Sequence, residues 1–180
     1  ASFESGSNYS SRRDAYFSRI DRVIADGGAI DGIGFQSRFK FLTDYDATTV
    51  YSRIDEFAQR YPSLEIVGTE FEIKDNYQYQ SGELMEAYDE ETRARLTEEI
   101  LHVYFSHDQV TGMNAWDIMN PQPDGTDNAY TRSLCYYGDG AGGVDGPIIK
   151  LNGLVWYYLH RIRYHSNVTE STEASGEATL

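Results

Sequence analysis

The sequence predicts an α/β fold in which parallel strands are joined by crossover helices, and three observations carry that expectation. Apolar runs of strand length lie at Ala29–Gln36, Leu64–Ile73 and Gly112–Met119, and the segments between them repeat their apolar residues at helical spacing. Glycine or proline punctuates the junctions, as at Gly27-Gly28 and Pro62. The resulting order is helix, strand, helix, strand, helix, strand, helix, which sets neighbouring strands parallel. A closed barrel of this class needs eight such units in ~250 residues. This 180-residue chain supplies three full strands and the end of a fourth, so it is either part of a barrel or a small open sheet.

Each element has its own signal. Over Ser11–Ala25 the residues Tyr16, Ile20, Val23 and Ile24 share a helical face, and Gly27-Gly28 stops the helix. The glycine-rich run Ala29–Gln36 suits a buried strand pressed against other backbone. Helical spacing returns over Asp46–Tyr61 through Val50, Ile54, Phe57, Ala58 and Tyr61, ending at Pro62. Leu64–Ile73 is the second strand, and alternation sends Glu70 and Glu72 to one face and Phe71 and Ile73 to the other. Burying charge is costly without a partner or a task, so two acids at a strand end mark a candidate site.

Asp89 offers a cap, and Glu90-Glu91 favour the first turn of a helix whose inner face is Leu96, Ile100, Val103 and Tyr104. Gly112–Met119 is the third strand, followed by a long loop from Asn120 to Pro147. A last amphipathic helix over Ile148–Tyr164 would turn Leu151, Leu154, Val155, Tyr158, Leu159 and Ile162 inward. Residues 1–165 read as one domain, and 166–180 as a tail or the start of a truncated β-rich segment.

Composition narrows the partners. A formal charge of −14 argues against nucleic acid or an anionic membrane, which both require a basic footprint. No apolar run approaches the ~20 residues that span a bilayer. Lysine occurs only at Lys40, Lys74 and Lys150, and this acid-rich, lysine-poor balance suits either a salt-rich habitat or an ordinary acidic secreted protein. The lone Cys135 excludes an internal disulfide. His102, His107, His160 and His165 lack zinc-helix spacing, the acids at Glu83, Glu86, Asp89, Glu90 and Glu91 read as a solvated face, and Asp139 and Asp145 lack calcium-loop spacing. No metal or cofactor is expected.

The motifs Ile30-Asp31-Gly32-Ile33-Gly34-Phe35-Gln36-Ser37, Thr69-Glu70-Phe71-Glu72-Ile73 and Gly112 to Trp116, in this order and spacing, resemble the last three strands of glycoside hydrolase family 10, the retaining endo-β-1,4-xylanases. Asn8-Tyr9 looks like the remnant of an Asn-x-Tyr strand end, so the resemblance runs roughly from Asn8 to Tyr164. It implies a (β/α)8 TIM barrel of which this chain holds the C-terminal half, about strands 5/6 to 8. It also implies a secreted, extracellular enzyme acting on xylan or xylo-oligosaccharide.

The resemblance puts Glu70 in the place of the catalytic nucleophile and Gln36 in that of a hydrogen-bond partner for substrate or nucleophile. Trp116 takes the place of the tryptophan that floors the sugar subsite, an indole face being suited to the apolar face of a pyranose. Asn114, Asp117 and Asn8 would add polar contacts. The family's His two residues after Gln36 is here Arg38, and its Asp two residues after the nucleophile is Glu72. Together these could form a compensating ion pair beside Glu70. The general acid has no counterpart here and would come from a missing N-terminal half of the barrel, with another copy of the chain as the other possible partner. The alternative is a non-catalytic carbohydrate-binding or assembly protein derived from the same barrel.

Overall fold

The computed structural model describes residues 8–39, 46–73, 90–120, 133–137 and 146–163. Helix α1, Tyr9–Ala25, ends as its glycines require. Gly27 has φ +80°, its N–H donates to the Ile24 carbonyl at 3.0 Å, and the Gly28 N–H donates to Val23 at 2.8 Å, the paired bonds of a Schellman stop. Ile20 is buried, Tyr16 and Phe17 pack partly, and Val23 and Ile24 stay exposed, so the inner face is narrower than the sequence suggests. Asn8-Tyr9 is not a strand end: Asn8 lies in a turn and Tyr9 opens the helix.

Strand β1, Gly32–Phe35, and the two-residue β2, Arg38–Phe39, follow. Helix α2, Ala47–Arg60, starts at Asp46, whose carboxylate accepts from the Thr49 N–H at 2.7 Å. It buries Val50, Ile54, Phe57 and Ala58, as the spacing predicts. Strand β3, Glu65–Ile73, leads through α3, Glu90–Phe105, to β4, Val110–Ala115. Leu96, Ile100 and Tyr104 of α3 are buried as expected, joined by Arg93, Thr97 and Leu101.

All pairings in the main sheet are parallel. β1 and β2 lie in succession along one flank of β3, and β4 lies along the other, so the sheet has three strand positions with β3 central. This is the parallel α/β arrangement that the element order predicts.

The region from Asn120 to Pro147 is not loop throughout. β5, Met119–Asn120, pairs parallel with β6, Cys135–Tyr137, which pairs antiparallel with β7, Pro147–Ile149. The last helix therefore begins later than expected, as α4, Leu151–Tyr158, continued by a π-helical turn, Leu159–Arg163. Its inner face differs as well. Asn152, Gly153 and Leu159 are buried, whereas Leu151, Leu154, Tyr158 and Ile162 are exposed. Gly153 sits against the Leu134 carbonyl, so the small sheet docks on the helix through its backbone and rotates the apolar stripe outward.

The Asp89 cap, Glu83 and Glu86, the segment from Gly138 to Asp145, His165 and the 166–180 tail lie outside the described residues. Among the described residues no helix is long and apolar enough to cross a membrane.

Candidate active site

The site forms where β3 departs from regular pairing. Gly68 pairs with Met113 and Phe71 with Ala115, so three steps on β3 answer two on β4. On the other flank Phe35 pairs with Gly68 and Arg38 with Glu72, so four steps on β3 answer three. Both neighbours see one extra residue in the Thr69–Glu70 region, a bulge that re-aims the side chains around it.

Before the bulge, Ile66 and Gly68 are buried while Glu65 and Thr69 are exposed. After it Phe71, Glu72 and Ile73 are all buried, with Phe71 packed on Trp156 of α4 at 5.1 Å between ring centroids. Glu70 and Glu72 do share a face opposite Phe71, as alternation predicts. Without the bulge, that face would be the one carrying Ile66 and Gly68.

Both carboxylates converge on one guanidinium. Arg38 Nη2 lies 2.6 Å from Glu70 Oε2, and its Nη1 lies 3.7 Å from Glu72 Oε1. Gln36 Nε2 donates to Glu70 Oε2 at 3.3 Å. The Glu70 side chain is 23% exposed and that of Glu72 is 0% exposed, so one acid meets the open side of the sheet and the other lies beneath it. The same guanidinium stacks on Trp116, its carbon 4.3 Å from the ring centroid. Trp116 is fixed to β3 by its backbone N–H, which donates to the Phe71 carbonyl at 3.0 Å.

Sequence reasoning missed the support beneath this cluster. Ser37, fully buried, has φ +59° and makes the turn from β1 to β2. Its hydroxyl lies 2.8 Å from the Tyr104 hydroxyl of α3 and 3.3 Å from the Phe35 carbonyl. Its carbonyl accepts from the Glu72 N–H at 3.2 Å. The Thr69 hydroxyl donates to the Phe35 carbonyl at 3.0 Å, bridging the bulge to β1. Nothing about a serine between Gln and Arg signals a left-handed residue. The tyrosine at 104 carries only a core signal.

The structure thus brings Gln36, Arg38, Glu70, Glu72 and Trp116 together. Asn114 is on the exposed side of β4, and the Asp117 carbonyl accepts from the Leu134 N–H at 3.2 Å, where the small sheet begins. Asn8 heads α1 with no side-chain cap, and its carbonyl accepts from the Ser11 hydroxyl at 3.2 Å.

Among the described residues no group of three or more His, Cys, Asp or Glu is disposed to hold a metal. Burial raises the pKa of the half-buried Cys135 thiol. Burial also lowers that of His160, which stacks on Trp156 at 4.2 Å between ring centroids.

The sequence model of glycosyl hydrolase family 10 matches residues 3–137. Comparison with curated proteins finds no match. Solved structures with the same fold include a family 10 xylanase from Bispora sp. MEY-1 with xylobiose, at TM-score 0.58 and 14% identity, covering 85% of this chain and 43% of that one. Xylanase 10B from Thermotoga petrophila RKU-1 in complex with xylobiose gives TM-score 0.58 and 15% identity, covering 88% and 43%. A thermostable mutant of a Cellvibrio japonicus xylanase gives 0.55 and 19%, covering 85% and 45%. The chain thus spans less than half the length of these xylanases.

Proposed function

The chain belongs to glycosyl hydrolase family 10, and on that premise we propose that it forms the C-terminal half of a (β/α)8 barrel, about strands 5/6 to 8, that cleaves β-1,4-xylan with retention of configuration. Glu70 is the nucleophile. The observation that carries this reading is its position: a part-exposed carboxylate at a bulge near the carboxyl end of the central parallel strand, oriented by Arg38 and Gln36. Catalytic groups of such barrels lie at the carboxyl ends of strands.

In this reading a Glu70 oxygen bonds to the anomeric carbon as the bond to the leaving sugar oxygen breaks, and that oxygen takes a proton from a general acid. Water then attacks the glycosyl-enzyme, giving its proton to the same group and freeing Glu70. Glu72 does not fit the acid role. It extends from the same strand as Glu70, and its side chain has no exposure through which to reach a glycosidic oxygen. The acid belongs to barrel strands that this chain does not span. Trp116, exposed beside the carboxylates, is the platform for the pyranose face, with Asn114 and Asp117 as polar neighbours. A polymeric substrate fits an extracellular enzyme.

A second reading, sugar binding without turnover, is favoured by one observation: the 2.6 Å ion pair that Arg38 makes with the nucleophile. Xylan hydrolysis by the chain assembled with the remaining barrel strands separates the two. Glu70→Ala should lower the rate on the order of 10³-fold or more. An assembled protein that binds xylo-oligosaccharide, releases no sugar and is indifferent to this substitution would establish the second reading instead.

A further inference from the structure

The guanidinium of Arg38 stands on the face of Trp116 that looks toward Glu70. Its carbon is 4.3 Å from the indole centroid while its Nη2 is 2.6 Å from Glu70 Oε2. A pyranose ring stacked on that face, with its anomeric carbon in reach of Glu70, needs the same few ångströms. We propose that Arg38 occludes the sugar-free site, and that sugar binding requires its guanidinium to leave the indole. This rests on the reading of Trp116 as the sugar platform.

The local structure supports a moving head on a fixed base. The Arg38 backbone is held in register with Glu72, and Ser37, locked at φ +59° and bonded to Tyr104, precedes it. Only the side chain is left to move, and it is long enough to turn. Glu72, buried beneath the cluster, offers the guanidinium a carboxylate to keep when it leaves Trp116. The part-exposed guanidinium gives up its cation–π contact with the indole. That loss weakens sugar binding in the free protein and returns when product departs, so Arg38 sets affinity against release.

Tryptophan fluorescence of the full chain tests this, with Trp116→Phe assigning the signal against Trp156. In Arg38→Gln, acrylamide should quench Trp116 more strongly without sugar, and xylotriose should bind about five-fold more tightly. Arg38→Lys keeps a cation near both carboxylates without a planar group to stack, and should fall between the two. Unchanged quenching in both variants would overturn the occluding contact. Stronger quenching with equal or weaker xylotriose binding would overturn occlusion in favour of a supporting role. Stronger quenching with no xylotriose response from Trp116 in any variant would defeat the platform reading, and the proposal with it.

Discussion

At the scale of single residues, one cation serves two acids of different kinds. Glu70 keeps part of its surface open while Glu72 is covered, although both lie on the same strand and share Arg38. Removing one member of a buried ion pair leaves the other uncompensated, so such a cluster tolerates coordinated change better than single change. Arg38 and Glu72, which by the family resemblance stand where His and Asp are expected, fit that rule. The Ser37–Tyr104 bond holds the base of the cluster. Tyr104→Phe should cost about 1 kcal/mol, read as a lower urea midpoint, because Ser37 keeps its bond to Phe35 but loses the buried phenol. An unchanged midpoint would mean that the turn needs no anchor from α3. The family resemblance led to an expected pair of Arg38 with Glu72 beside Glu70, and the shared face of the two acids follows from alternation. That the shorter contact, 2.6 Å, goes to Glu70 rather than Glu72 was not legible. The left-handed Ser37 was not, because serine carries no signal for positive φ.

At the scale of elements, legibility follows how locally each boundary is determined. Helix α2 buries the residues its spacing names, and α1 stops at its glycines. Strand β3 was readable as an element, but its bulge was not: the extra residue is defined by two neighbours distant in sequence. The inner face of helix α4 is not legible in its own sequence, because its orientation depends on β6 and β7, which no local pattern announces. Gly153 is the contact that sets it. In Gly153→Ala the added methyl would meet the Leu134 carbonyl oxygen, which also accepts from the Lys150 N–H at 3.0 Å. The expected result is a loss of ~1–3 kcal/mol together with faster hydrogen exchange at Lys150. Wild-type exchange and stability would show that the small sheet does not determine how α4 sits.

At the scale of the whole molecule, the described sheet has one central strand and two outer positions. Each outer strand pairs only with β3 among the described residues. Ile118, Leu154, Tyr157, Tyr158 and Ile162 are exposed around the last helix. Open parallel edges and a grouping of exposed apolar side chains both suit a surface that other elements cover. The chain spans 43–45% of the xylanases it resembles, and under the proposed function further strands would complete the barrel and face Glu70 across the sugar. The parallel class and the family could be read from element order and three motifs. The source of the opposing acid could not, because no residue of this chain carries it in the family pattern. In the proposed mechanism Glu70 forms the covalent bond to sugar. Treating the assembled enzyme with a 2-deoxy-2-fluoro-xylobioside inactivator and mapping the adduct by peptide mass spectrometry measures it directly. A single glycosyl adduct on Glu70, absent in Glu70→Gln, is the expected result, and an adduct on Glu72 or on any other residue would contradict Glu70 as the nucleophile.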